Sequence, residues 1–139
     1  MKTALITGAT SGIGKSTAIE FANQGINLIL CGRREDRLSD LKTQLKEKVK
    51  VHTLSFDVRN QEEVFEKIQS LSPQFSNIDI LVNNAGNAHG LDPIQSGSIS
   101  DWDAMIDINV KGLLYVSKAI IPGMTERGGG HIGYIVIAG

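Results

Sequence analysis

The sequence has one cysteine, Cys31, so no disulfide can form within a single chain. Its 14 lysines and arginines nearly balance 15 aspartates and glutamates, and a net charge of -1 gives no electrostatic reason to expect binding to nucleic acid or an anionic membrane. No apolar run approaches the roughly 20 residues that a membrane span needs, and no basic-then-apolar leader opens the chain. The cytoplasm is therefore the expected compartment.

Metal-ligand spacing is also missing, because no cluster of His, Cys, Asp and Glu has the pattern of a metal site, and we expect no metal. His52 and His131 fall in predicted strands and are expected to be structural or solvated. His89 lies near the point where a substrate would enter and is a weak catalytic candidate. Cys31 ends a predicted strand, which is typical of a small buried hydrophobe.

Short apolar runs and helix-period segments alternate along the 139 residues, which suffice for one domain, 1–139. Continuous apolar strands of this kind are buried on both faces of a parallel sheet with helices on either side. Right-handed crossovers then predict an α/β doubly wound parallel sheet in the order 3-2-1-4-5. Strands are predicted at 3–7, 27–31, 49–56, 78–82 and 131–138, and helices at 12–24, 35–48, 61–71 and 100–127, the last broken near Gly112.

Two of these helices carry further expectations. In the first, Ile13, Thr17 and Phe21 fall four residues apart and predict an apolar stripe, and Ala18 and Ala22 would allow close packing on the sheet. In the helix that contains residues 113–124, apolar side chains cover more of the circumference than one sheet needs. A partner subunit would explain this surplus, and so would further chain of the same domain.

The strongest motif is Thr7-Gly8-Ala9-Thr10-Ser11-Gly12-Ile13-Gly14, directly after the first strand. Its Gly-x-x-x-Gly-x-Gly spacing differs from the usual Gly-x-Gly-x-x-Gly dinucleotide fingerprint. Gly8 permits a tight turn, Gly12 lets backbone approach a pyrophosphate, and Gly14 lets the helix pack on the strand. A strand that turns into a helix in this way presents amides to phosphate. The alternative is a plain strand–helix turn; the motif's position favours binding of a dinucleotide by residues 8–14.

The end of the second strand indicates which dinucleotide. An unmodified ribose usually needs an acidic residue about 20 residues past the glycines. Here the stretch reads Gly32-Arg33-Arg34, and two guanidiniums could hold a ribose 2′-phosphate and stack on adenine. Alternatively, the two arginines are solvated and partly neutralised by Glu35 and Asp36. We expect NADP(H) as cofactor, with NAD(H) less favoured.

Together with Asn83-Asn84-Ala85-Gly86 and Ile108-Asn109-Val110-Lys111-Gly112, these motifs resemble the short-chain dehydrogenase/reductase family, whose cofactor-binding part is a Rossmann fold. The resemblance extends over the whole chain but over only the first half of a typical member, a sheet truncated after about five strands. It implies that Asp57 and Val58 contact adenine, that Asn84, Ala85 and Gly86 pass beneath the adenine ribose, and that Asn109 holds a water near a catalytic lysine.

Further stretches resemble the NADP-dependent 3-hydroxy acid dehydrogenases, which act on serine and allo-threonine. These stretches are Gly32-Arg33-Arg34, residues 77–86, Asp101-Trp102, Pro122-Gly123-Met124 and Glu126-Arg127. The resemblance implies hydride transfer between the nicotinamide and a hydroxy or oxo group of a small substrate. It also implies a homo-oligomer, a tetramer, for the complete protein.

The family's catalytic serine and its Tyr-x-x-x-Lys pair do not occur in this sequence. Tyr115 is followed four residues later by Ala119, and Tyr134 by Ala138. The segment 131–139 contains no serine. Of the family's catalytic residues only Asn109 carries over. Two interpretations follow: the cofactor-binding half of an NADP-dependent oxidoreductase, with the 139 residues inactive by themselves, or a catalytically inactive dinucleotide-binding module.

Overall fold

Five apolar segments form one parallel sheet in the computed structural model, which describes residues 1–86 and 92–135. The strand order is β3-β2-β1-β4-β5, and every neighbouring pair is parallel, as the sequence predicted. The order reverses between β1 and β4, so the chain winds outward from β1 in both directions. The strands are β1 Thr3–Ile6, β2 Asn27–Gly32, β3 Val51–Ser55, β4 Ile80–Asn83 and β5 His131–Tyr134.

Helices connect the strands and cover both faces of the sheet. They are α1 Gly12–Asn23, α2 Glu35–Leu45, α3 Gln61–Gln69, α4 Pro73–Ser76, α5 Ile99–Ile106 and α6 Leu113–Glu126. The predicted break near Gly112 is a six-residue π-helical segment, Asp107–Gly112, between α5 and α6. Such segments insert an extra residue per turn and often lie at functional sites. The short helix α4 was not predicted, because four residues give no periodic pattern.

Several predicted elements extend beyond the observed ones. The third strand is shorter at both ends than 49–56, although Val49 and Phe56 are buried. Helix α2 ends at Leu45 rather than at residue 48. The fifth strand ends at Tyr134 within the described residues, and 136–138 of its predicted range lie outside them. Apolar residues that pack just beyond a strand end produce the same sequence signal as strand residues.

The core has two layers, one on each face of the sheet, because successive strand residues point to opposite faces. One layer packs strand residues against α3 and α6, and it includes Leu5, Ile29, Leu81, Val64, Val116 and Ile120. The other packs them against α1 and α2, and it includes Ala4, Ile6, Leu28, Leu30, Ala18, Leu38 and Leu41. All four residues of β1 are buried, which is typical of a central strand of a parallel sheet.

The predicted stripe on α1 is wrong at its first position. Ile13 is 57% exposed, and the buried residues of α1 are Gly14, Ala18 and Ala22. The two alanines do allow the close packing expected of them. Because small side chains bring the helix backbone near the sheet, the face that carries them becomes the buried one, and the larger Ile13 turns outward.

No helix among residues 1–86 and 92–135 has the length and apolar character required to cross a lipid bilayer.

The backbone at the start of α1 lies close to the glycine loop and to Asn84, and we therefore predict an effect on stability. A Cβ on Gly14 would collide with the carbonyl oxygen of Gly8 and the side-chain amide of Asn84. We expect Gly14→Ala to lower the free energy of unfolding by about 1–3 kcal/mol, as overpacking does elsewhere. Urea denaturation followed by circular dichroism measures the change. Gly133→Ala is the matched control, because a Cβ there meets nothing within 4 Å. Equal stability of the two variants would contradict the prediction.

Candidate functional site

The glycine loop lies at the carboxyl end of β1, beside the point where the strand order reverses. Gly8 and Gly12 have φ values of 60° and 55°, which L side chains rarely adopt. A Cβ on Gly8 would also lie 2.9 Å from Nδ2 of Asn84, whereas a Cβ on Gly12 would meet nothing within 4 Å. The backbone at Gly12 is therefore open to a ligand, whereas Gly8 packs closely against Asn84 and Ala85.

The N-terminus of α1 is available to an anion. Ser11 precedes the helix in an extended conformation, and its side chain makes no capping hydrogen bond. No acidic side chain occurs in the first helical turn. The first amides of α1 and the positive end of its dipole therefore lack a negative partner among the described residues, and a phosphate would supply one.

Hydrogen bonds join the glycine loop to the segment after β4. Oγ1 of Thr7 accepts from the backbone N–H groups of Asn84, at 3.0 Å, and Ala85, at 2.9 Å. Nδ2 of Asn84 donates to the carbonyl oxygen of Gly8 at 2.9 Å. Thr7 is almost completely buried, so these bonds are shielded from water. Asn84 thus supports the loop from behind, and Ala85 and Gly86 come to the surface beside it.

A cavity of about 240 Å³ opens at this edge of the sheet, between the ends of β1, β2, β3 and β4. Most of the predicted cofactor-binding residues line it: Gly8, Thr10, Ser11, Arg33, Arg34, Asp57, Val58, Ala85 and Gly86. The others do not. Ala9 is buried in the core layer of α1, Gly14 and Asn84 lie behind the loop, and Gly12 and Ile13 lie at a separate shallow groove on α1.

Three guanidiniums stand at one side of this cavity. Arg33 and Arg34 follow the end of β2, and Arg37 joins them from the first turn of α2. Within the described parts of the chain, none of the three forms an ion pair with Glu35, Asp36 or another acidic side chain. The sequence interpretation missed Arg37. Its position in the first turn of α2, directly after the two arginines at the end of β2, was the available signal.

Asp57 also lines the cavity and is already paired. Nη2 of Arg59 donates to Oδ2 of Asp57 at 2.7 Å, and the backbone N–H of Arg59 donates to Oδ1 at 2.9 Å. The bond from the Arg59 side chain is the main cause that holds the pKa of Asp57 below its ordinary value, and the charge of Arg33 contributes. Asp57 is therefore an anion at neutral pH. Arg59 was not predicted from the sequence.

The π-helical segment closes another side of the cavity. Ile108 lines it directly, and a Cβ on Gly86 would lie 2.7 Å from Oδ1 of Asn109. A Cβ on Gly112 would meet Cγ2 of Val58 at 2.6 Å, so the segment approaches the loop after β3 as well. The structure thus brings Asn109 next to the Asn-Asn-Ala-Gly turn.

The remaining candidates among the described residues show no reactive environment. Cys31 reaches the cavity wall, but burial raises the pKa of its thiol, which stays protonated. His52 stacks near Phe75 with ring centroids 5.3 Å apart, and burial and Lys42 lower its pKa. His131 begins β5 at the surface, and His89 lies outside the described residues. Among the described residues, no three His, Cys, Asp or Glu side chains are grouped so that they could hold a metal ion.

Relatives with known sequences match most of this chain. An NADP-dependent 3-hydroxy acid dehydrogenase of Escherichia coli (strain K12) is 47% identical over 128 residues, 92% of this chain and 51% of that protein. Sulfoacetaldehyde reductase 2 of Chromohalobacter salexigens is 47% identical over 126 residues, 91% of this chain and 50% of that protein. The chain spans about half the length of the curated relatives it matches.

Solved structures share the fold. Serine dehydrogenase from Escherichia coli superposes with a TM-score of 0.88 at 45% identity, covering 95% of this chain and 60% of that one. A closed form of serine dehydrogenase in complex with NADP+ gives the same TM-score and identity, covering 95% of this chain and 52% of that one. An NAD+-bound xylitol dehydrogenase superposes with a TM-score of 0.91 at 31% identity, covering 96% of this chain and 52% of that one.

The short chain dehydrogenase family model matches residues 2–137. Because one family model accounts for nearly the whole sequence, this chain belongs to the short-chain dehydrogenase/reductase family, as its glycine loop and Asn-Asn-Ala-Gly turn predicted.

Proposed function

We propose that this chain is the NADP(H)-binding part of an oxidoreductase. The complete protein would transfer a hydride between the nicotinamide and a hydroxy or oxo group of a small substrate, such as a 3-hydroxy acid. One observation carries the proposal: Arg33, Arg34 and Arg37, which form no ion pair within residues 1–86 and 92–135, line a cavity beside a glycine loop at the switch point of a doubly wound sheet. The domain would extend over residues 1–139.

The residues present fit a dinucleotide. The open backbone at Gly12 and the uncapped N-terminus of α1 would receive the pyrophosphate. Thr10 and Ser11 would add donors to its oxygens. Asp57 and Val58 would contact the adenine, and Ala85 and Gly86 would pass beneath the adenine ribose. The bound cofactor supplies the hydride, while these residues hold and orient it.

The arginines favour NADP(H) over NAD(H). A ribose 2′-phosphate is a dianion that planar guanidiniums bind with charge-assisted, often bidentate hydrogen bonds. No carboxylate occupies the tip of β2, where one would hold an unmodified ribose. The relatives named as NADP-dependent, and the serine dehydrogenase structure that contains NADP+, support the same choice. The NAD+-bound xylitol dehydrogenase shows that this fold also serves the other cofactor.

Catalysis by these residues alone is not expected. Asn109 lies beside Gly86 and would hold a water for a proton relay, which is the role its family motif implies. The sequence contains no Tyr-x-x-x-Lys pair to donate the proton and bind the nicotinamide ribose. We therefore propose that the 139 residues bind NADPH without turnover. A catalytically inactive dinucleotide-binding module is the second candidate function, and the same absence favours it.

Self-association is proposed for the complete protein, as a homo-oligomer and specifically a tetramer. Helix α5 has no buried residue, and Trp102 and Ile106 are exposed on it. The apolar face continues through Val110 and Leu114 to Ile121, which are 50%, 57% and 37% exposed. Burial of this face against a second copy would remove it from water. Cytoplasmic localisation stays a prediction.

Cofactor preference gives the direct test of the proposed function. We expect NADPH to bind more tightly than NADH, and Arg33→Ala to weaken NADPH binding by about tenfold or more because a charge-assisted bond to phosphate is lost. Arg37→Ala should act in the same direction. NADH affinity should change little. Titration of cofactor fluorescence measures the dissociation constants of NADPH and NADH for each protein, with Lys46→Ala, exposed at the far end of α2, as control. Equal affinity of the parent chain for NADH and NADPH would refute the assignment.

Turnover is the second measurement. With NADP+ and serine or allo-threonine, we expect no NADPH formation above the uncatalysed rate, followed by absorbance, although the same sample binds NADPH. The physical reason is that no Tyr-x-x-x-Lys pair is present to accept the hydroxyl proton as the hydride passes to NADP+. Turnover within the usual enzyme range of about 1–1,000 s⁻¹ would show that another group accepts this proton.

Oligomer formation is tested on the apolar face. Leu114→Glu would place a charge in the buried interface, so we expect it to shift the protein from oligomer toward monomer in sedimentation equilibrium. Ser39→Glu introduces the same charge at an exposed position on α2 and serves as control. An unchanged mass distribution for Leu114→Glu would contradict a role of this face in assembly.

A further inference from the structure

The turn after β3 is held by its own backbone and side chains. The N–H of Asn60 donates to the carbonyl oxygen of Asp57 at 3.0 Å, and the N–H of Arg59 donates to Oδ1 of Asp57 at 2.9 Å. Oδ1 of Asn60 then accepts from the N–H of Glu63 at 3.1 Å and caps α3. The backbone of Asp57 and Arg59 is therefore fixed between a strand and a helix.

The guanidinium of Arg59 binds the Asp57 carboxylate as a fork. Its Nη2 is 2.7 Å from Oδ2, and its Nε is 3.1 Å from both Oδ1 and Oδ2. A carboxylate offers about four acceptor sites. The backbone N–H, Nη2–H and the shared Nε–H of Arg59 supply three donors, which leaves about one acceptor site on Asp57 for another donor.

The two residues differ in their relation to the cavity. Asp57 lines it, and Arg59 does not. Arg59 thus binds the Asp57 carboxylate from outside the cavity. The remaining acceptor site of Asp57 is at the cavity wall. In this arrangement the guanidinium of Arg59 acts on the cavity through Asp57.

A second carboxylate helps to retain Arg59. Besides Asp57, which is the main cause, Asp107 of the π-helical segment raises the pKa of Arg59. Asp107 also pairs with Lys111 at 3.5 Å. Without the guanidinium, Asp57 would keep only the bond from the backbone N–H of Arg59, and its carboxylate would lose the fork that fixes its rotation.

We propose that Arg59 is a positioning residue for purine recognition: it orients Asp57 so that the remaining acceptor site receives the exocyclic amino group of a 6-aminopurine. A 6-oxopurine carries an acceptor oxygen at that place and is repelled by the same carboxylate. Arg59 thereby makes the cavity select adenine over hypoxanthine. This inference rests on the proposed cofactor site.

The test compares NADPH with its analogue in which hypoxanthine replaces adenine, by fluorescence titration of the full chain. We expect the parent to prefer NADPH by about tenfold, the effect of one hydrogen bond to a charged group. Arg59→Ala should reduce this ratio to about twofold or less. Arg59→Lys keeps the charge without the planar fork and should give an intermediate ratio. Asp57→Asn should abolish the preference, and Lys118→Ala, exposed on α6, should retain it.

The outcomes separate the role of Arg59 in purine recognition from the proposed binding of NADPH. If Arg59→Ala lowers the affinity for both dinucleotides by the same factor, or leaves both unchanged, Arg59 has no role in choosing the purine. Equal binding of both dinucleotides by the parent would also overturn the inference while leaving NADPH binding intact. Failure of the parent to bind NADPH at all would overturn the proposed function, and the inference with it. Far-UV circular dichroism verifies that Arg59→Ala folds.

Discussion

The site depends on the buried contact between the glycine loop and the segment after β4. One hydroxyl, Oγ1 of Thr7, accepts two backbone N–H groups, and the amide of Asn84 returns a bond to the carbonyl oxygen of Gly8. Each of these groups would cost about 1–3 kcal/mol if it were buried without a partner. The same contact leaves no room for a Cβ on Gly8 or Gly14. The shape of the glycine loop, the position of α1 and the position of the segment after β4 therefore depend on one another.

Charge is distributed unevenly around the cavity that this arrangement opens. The arginines after β2 have no ion-pair partner within the described residues, whereas the carboxylate of Asp57 is bound by Arg59. The cavity therefore presents positive charge where a phosphate would lie and one oriented acceptor where a base would lie. An exposed ion pair such as Arg59–Asp57 contributes little to stability. The placement of charges around the cavity therefore affects which ligand binds more than it affects folding.

Much of the architecture was predictable because it follows from local patterns. Apolar runs bounded by helix-period segments predicted five parallel strands in the correct order, and the loop of three glycines marked the carboxyl end of the first strand. The inward face of α1 was less predictable. Hydrophobicity predicted that Ile13 faces the sheet. The buried positions are instead those of Gly14 and the alanines, because small residues let the helix backbone approach the sheet closely. Most of the predicted cofactor-binding residues line the cavity, whereas Gly12 and Ile13 lie beside it, and their role in binding stays a prediction.

By itself, the amino-acid sequence determined the fold class, the strand order and the family, since these depend on periodicity and on motifs of adjacent residues. Only the tertiary structure decided which side chains meet. It brought Arg37 to the arginines of the β2 end and set Arg59 behind Asp57. It also joined Thr7 to Asn84 across 77 positions of the sequence. The physical reason is that a hydrogen bond or ion pair depends on distance and angle in space, which the winding of the sheet fixes and spacing along the chain does not.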